Sequence, residues 1–427
     1  MTSKVIQTIL KNGLKVMLKE IHTSPIISSW VWYRVGSKDE VTGKTGISHW
    51  TEHMQFKGTK KFPARILDRA ISREGGTWNA FTYLDWTTYF ETMPAEKIDL
   101  ALKLEADRMA KSIFTEKEVT SERTVIIAER EGHENEPLFR LGEAVQQAGF
   151  RVHPYHHEVI GDMADLLTIT RDDLFKHYRT YYIPNNAVLA VAGDFEAKPM
   201  LKRIKEYFEK IPAGRAAPRL KRVEPEQVGE MRLSVEGPGE TNYLQVAYRF
   251  PSATNADFFP LAVLDSLLAG PSNLNMFGGG ISNKTSRLYR ALVDKEYAVS
   301  ASGGASVTID PFLYSFILTI HPKRRPEETL AALDEELKKV QEEPVSEGEI
   351  ARATKQARAI FAYGSENITN QAFWMGFAEM FATYDWFTNY LNKLAKITPQ
   401  DVQRVAREYF RPARRIVGSY IAKGAEG

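Results

Sequence analysis

"ITRDDLFKHYRTYYIP" (169–184) and "ITPQDVQRVAREYFRP" (397–412) lie 228 residues apart, with Thr170, Asp173, Tyr181 and Pro184 matching Thr398, Asp401, Tyr409 and Pro412. Each reads as a helix opened by a Thr–Asp capping pair and stopped by aromatic residues and a proline. Outward from this pair, Thr115–Glu118 and Ser346–Glu349 have capping-box form at an offset of 231. Before them stand two similar helical stretches, "AEKIDLALKLEADRM" (95–109) and "PEETLAALDEELKKV" (326–340). Matches in the same order imply a duplicated half of roughly 200 residues.

Strand signals fill the gaps. "LKNGLKVMLKE" (10–20) reads as strand, Asn-Gly turn, strand, and "ISSWVWYRVGS" (27–37) is rich in aromatic and β-branched residues. "GGTWNAFTYLDWTTYFETMP" (75–94) alternates in the manner of a strand. The expected class is α+β: two homologous α/β-sandwich units, each a mostly antiparallel sheet with helices on one side, related by internal duplication. "IPAGRAAPRLKRVEPEQVGEMRL" (211–233) has no clean period and reads as a connector. The expected division is a first unit over 1–215, a linker over 216–232 and a second unit over 233–427.

The chain has 427 residues, 56 basic against 54 acidic, and no cysteine. The size calls for more than one domain. The near balance of charge gives no field for nucleic acid or an anionic membrane surface. Without cysteine, disulfides and thiolate metal sites are excluded, and imidazole and carboxylate remain as strong ligands. Neither a secretory signal nor a spanning apolar run is evident, so a cytoplasmic location is the default expectation.

"GISHWTEHMQFKGT" (46–59) carries the chemistry. On a helix, His49 and His53 share one face, and neighbouring imidazoles there can bind one Zn²⁺. Glu52 leans toward the same face and suits a general base. A third ligand has to come from elsewhere. Glu122 and Glu129, two helical turns apart, share a face, so that one can ligate while the other orients a histidine. At the repeat offset these positions become Ala353 and Ile360, and eight of the nine histidines precede residue 220. A metal site therefore belongs to the first half.

His49-x-x-Glu52-His53 is the inverted zinc-peptidase motif, and its surroundings resemble the pitrilysin/insulinase family of metallopeptidases. That resemblance implies one zinc per chain held by His49, His53 and Glu129, with Glu122 as the supporting acid and Glu52 as the base. It implies a zinc-dependent endopeptidase acting on peptides or short unfolded segments in a chamber between units. "GGTWNAFTYLDWTTYF" resembles the family's substrate-binding edge strand, which puts Asn79 and Ala80 against an extended peptide. The competing expectation is a non-catalytic peptide-binding or scaffold subunit of a larger complex.

One departure concerns an Arg–Tyr pair that active relatives carry in the second unit. Arg290 and Tyr297 have the right spacing, but anchoring on "SRLYRAL" (286–292) puts the arginine position on Val293. The pair is therefore expected to be missing. Its place would be filled by a similar-length partner subunit supplying Arg and Tyr, with a homodimer as the fallback. "HPYHHEVIG" (153–161), with His153, His156 and His157, is expected to play a structural or substrate-side part. "FGGGIS" (277–282) lacks the Lys and Ser/Thr of a phosphate loop and reads as a flexible loop.

Overall fold

A computed structural model of the chain describes residues 4–270 and 282–424, so the "FGGGIS" stretch, Ser282 apart, lies outside the described residues. The first sheet contains β1 (Ile6–Ile9), β2 (Lys15–Glu20), β3 (Ile26–Tyr33), β4 (Thr77–Thr82), β5 (Thr87–Pro94) and β6 (Ala187–Gly193). Their order is β1-β2-β6-β3-β5-β4. The second sheet contains β7 (Met231–Pro238), β8 (Tyr243–Phe250), β9 (Ala298–Ala305), β10 (Phe312–Ile320) and β11 (Arg415–Lys423), in the order β7-β11-β8-β10-β9.

Leaving out β1, the two orders are the same topology read twice. In both, one parallel pair (β2 with β6, β7 with β11) joins strands that are otherwise antiparallel. The central strands carry the most apolar runs: every residue of β6 is buried, as is all but the first of β3. Strands covered on both faces need such runs. The edge strand β7 instead alternates between half-buried and exposed.

The first repeat supplies helices α1 (Ile47–Met54), α2 (Ala64–Arg73), α3 (Ile98–Lys111), α4 (Glu116–Glu134), α5 (Pro137–Gly149), α6 (Met163–Leu166), α7 (Arg171–Tyr181) and α8 (Ala197–Phe208). The second supplies α9 (Phe258–Leu268), α10 (Pro326–Glu342), α11 (Glu347–Tyr363), α12 (Ile368–Phe381), α13 (Tyr384–Leu394) and α14 (Pro399–Tyr409). The repeated caps form as pairs. The Asp173 N–H reaches Thr170 Oγ1 at 3.2 Å while Thr170 N–H donates to Asp173 Oδ2 at 3.0 Å. Thr398 and Asp401 reproduce both distances, 3.0 and 3.2 Å.

The chain does not divide into contiguous halves. One compact unit joins the residues up to Arg130 with His157–Arg222 and Ser365–Tyr384; the other joins Glu131–His156, Val223–Gly364 and the residues from Asp385 on. The repeat offset of 231 carries Pro137 to Ile368, making α5 and α12 equivalents. Each lies on the sheet of the other repeat: α12 against β3 and β6, α5 against β11, β7 and β8. The sheets are thereby covered on a second face as well. On the first sheet, Trp30 and Trp32 meet Phe373 of α12, each at 5.3 Å between ring centroids. The intervening side chains of the neighbouring strand β5, Tyr89 and Glu91, turn instead to Arg108 of α3. A single cut near residue 220 misses this exchange because hydrophobic pattern says that a helix is buried, not which sheet buries it.

Close approach makes Gly376 of α12 necessary. A Cβ there would stand 2.1 Å from Trp32 Nε1, and Trp32 is fully buried and cannot yield. Gly376→Ala is therefore expected to cost about 1–3 kcal/mol by overpacking. Urea unfolding measures this, and a loss under about 0.5 kcal/mol would show that α12 is not seated as described.

Candidate metal centre

The metal-motif helix α1 starts on a glycine for a geometric reason. Gly46 has φ +84°, and a Cβ on it would lie 2.4 Å from the Ile160 carbonyl oxygen. The chain thus enters the helix through a left-handed residue pressed against another backbone segment. Its first turn is capped from a distance. The buried Glu40 carboxylate accepts the Gly46 and Ser48 N–H groups, each at 2.8 Å. Negative charge at that end also suits the helix dipole. His157 Nε2 holds the same carboxylate at 2.9 Å. Trp50, fully buried, fixes the inner face of α1, and the Arg123 guanidinium of α4 lies over its ring at 5.3 Å.

Three donors converge on this scaffold. His53 Nε2 is 3.7 Å from Glu129 Oε2, and His49 Nε2 is 4.0 Å from the same oxygen. Each of the three residues offers a ligand atom within 4.8 Å of the others, a cluster that is the only one of its kind among the described residues. Ligands at about 2.0–2.1 Å around a tetrahedral ion stand roughly 3.4 Å apart. Two imidazoles and one carboxylate at these separations fit a zinc ion in number, spacing and chemistry.

The surroundings favour a cation. His53 Nδ1 bonds Glu122 Oε1 at 2.8 Å, which directs the proton to Nδ1 and the Nε2 lone pair toward Glu129. Lys57 Nζ pairs with the other Glu122 oxygen. Burial opposes charge on Glu122, yet the bonds from His53 and Lys57 hold its carboxyl below the ordinary value. His53 is likewise held above its usual value, against burial, by Glu122, Glu52 and Glu129.

Glu52 is 7% exposed. Burial pushes its carboxyl up to about 7, against a bond from the Thr82 hydroxyl to Oε2 at 2.6 Å. A carboxyl in that range exchanges protons readily near neutral pH. Thr82 ends β4, which among the described residues pairs with β5 alone and forms one edge of the first sheet. Asn79 is exposed and Ala80 buried on that strand, and Asn79 Oδ1 accepts the Ala80 N–H at 2.9 Å.

Residues 15–163 match the family model described as insulinase (peptidase family M16), and residues 168–357 match the model described as peptidase M16 inactive domain. A Helicobacter pylori protein named zinc protease PqqE is 30% identical over 417 residues, covering 94% of this chain and 89% of that protein. The chain belongs to the insulinase family of M16 peptidases. A crystal structure described as a protease from Helicobacter pylori superposes with a TM-score of 0.91 at 28% identity, covering 98% of this chain and all of that one. An Arabidopsis thaliana relative, named probable mitochondrial-processing peptidase subunit beta, is 29% identical over 64% of this chain and 51% of its own length.

Within this insulinase-family chain, the three histidines of "HPYHHE" are engaged away from the His49–His53–Glu129 cluster. The "HPYHHE" cluster is divided between the two units: His157 holds Glu40, whereas His153 Nε2 meets Asp310 Oδ2 at 3.3 Å and His156 Nδ1 approaches the His153 carbonyl at 3.3 Å. Arg290 is exposed in the second unit, and the Tyr297 ring lies under the Arg324 guanidinium at 4.6 Å. Sequence reading missed Glu40, Lys57 and Thr82. Glu40 joins His157 across 117 residues, and no local pattern marks such a pair. No helix among the described residues is long and apolar enough to cross a membrane.

Proposed function

We propose that the chain is a zinc-dependent endopeptidase. The observation that carries this reading is the convergence of His49, His53 and Glu129 beside the buried Glu52 carboxylate on the same helix as the two histidines. His49, His53 and Glu129 would hold one zinc ion, with Glu122 keeping the His53 proton on Nδ1. When bound, zinc supplies Lewis-acid polarisation of a peptide carbonyl and acidifies water. Glu52 takes the proton of the attacking water on a carboxylate oxygen and gives it to the departing amine nitrogen.

The exposed edge of β4 receives substrate as an added strand, so main-chain groups near Asn79 and Ala80 bear most of the binding and side-chain selectivity is low. The Asn79 side-chain Oδ1, which accepts the Ala80 N–H at 2.9 Å, would give up that donor to the peptide. Catalysis falls to the unit that holds His49, Glu52, His53 and Glu129; residues 168–357 match a model described as inactive. A partner of similar length supplying Arg and Tyr completes the enzyme, a reading favoured by the relative named as a subunit and by the engagement of Tyr297 with Arg324.

The test is hydrolysis of a mixed library of quenched, unstructured peptides by the full chain, alone and with such a partner. Cleavage lost to a chelator and restored by zinc is expected. Cleavage indifferent to chelation, or none in any arrangement with zinc present, would overturn the reading in favour of a peptide-binding or scaffold role.

A further inference from the structure

From the geometry we infer that Thr82 is a positioning residue that ties the orientation of the Glu52 carboxylate to the substrate strand. This rests on the peptidase reading above. The Thr82 hydroxyl donates to Glu52 Oε2 at 2.6 Å, the length of a strong O–H···O⁻ bond. Glu52 stands three residues after His49 and one before His53, so its buried carboxylate has to be aimed, and a single short bond from a second element restricts its rotation. Thr82 is itself held by strand pairing, opposite Thr87 of β5, whose hydroxyl donates to the Val35 carbonyl at 2.9 Å.

The strand makes this more than a local prop. Side chains alternate along β4, so Trp78, Ala80 and Thr82 share a face. That face looks at the metal-motif segment, since Trp78 packs on Phe56 at 4.9 Å between centroids while Thr82 reaches Glu52. Thr82 lies two residues beyond Ala80 on the edge strand assigned to the peptide. Pairing of a peptide with β4 fixes the strand that carries the hydroxyl, and the hydroxyl fixes the base. Thr82 acts through Glu52 and touches no reacting atom.

The test compares Thr82→Val, which keeps the shape and deletes the donor, with Thr82→Ser, which keeps the donor. In the peptide assay Thr82→Val is expected to lower kcat by about 10- to 100-fold, the effect typical of a supporting partner, with KM within about twofold of wild type. Thr82→Ser is expected to retain kcat within about threefold. A kcat unchanged in Thr82→Val, or a loss confined to KM, would overturn the assignment. A second readout needs no turnover: the crystal structure of Thr82→Val. A Glu52 carboxylate rotated from its wild-type position supports the role; one superimposing on it overturns the role. If wild type cleaves nothing, the peptidase reading fails, and the crystal comparison still decides whether Thr82 orients Glu52.

Discussion

Glu52→Gln is expected to lower peptide turnover by about 10²–10⁴-fold while leaving bound zinc within about twofold of wild type. The amide has nearly the size of the carboxylate and can still accept from Thr82, so the fold and the three proposed ligands are preserved. What is lost is the ability to take a proton from water. Burial already holds this carboxyl up to about 7, so the site is built around a group that changes protonation easily. Kinetics with metal analysis on the same preparations separates the outcomes. Equal turnover in both proteins would remove Glu52 from the mechanism, and a parallel loss of zinc would make it a ligand instead.

Arg108→Met is expected to destabilise the chain by about 3–5 kcal/mol, a large share of a typical folding free energy. Arg108 of α3 is 2% exposed, and both its acidic partners, Glu91 and Glu105, are fully buried. Its guanidinium reaches Glu91 Oε1 at 3.2 Å, pairs with Glu105, and lies over the Tyr89 ring at 4.2 Å. Burial, followed by the charge of Glu105, holds the Glu91 carboxyl well above its ordinary range, even with the arginine present. Removing the cation leaves two carboxyl groups buried against each other without the positive charge that offsets the ionised one. Chemical denaturation gives the cost directly; a change below about 1 kcal/mol would show that the triad contributes little beyond its packing.

Features set by short spacings were readable from the chain. Capping boxes at Thr170, Ser346 and Thr398 need only residues three apart, and all three form. His49, Glu52 and His53 occupy one helix, so their common face follows from its pitch. The union of α1 with Glu129 needed a family resemblance, because no local rule joins residues 76 apart. The α5–α12 exchange was invisible, since two equivalent apolar helices satisfy either sheet by pattern alone. Glu40 with His157 and Arg108 with Glu91 were missed for a related reason. Buried charge pairs are selected by tertiary geometry and leave only scattered acids and bases in the sequence.

His49, His53 and Glu129 are expected to bind one zinc ion together. Zinc titration of the metal-free full chain, with bound ion counted by mass spectrometry after gel filtration, tests it most directly. One ion per chain is expected for wild type and for Glu52→Gln. Glu129→Gln is expected to bind more weakly by at least the roughly 10- to 100-fold that even a supporting partner commands. Zinc bound equally well by Glu129→Gln and wild type would exclude Glu129 as a ligand and dissolve the three-residue site.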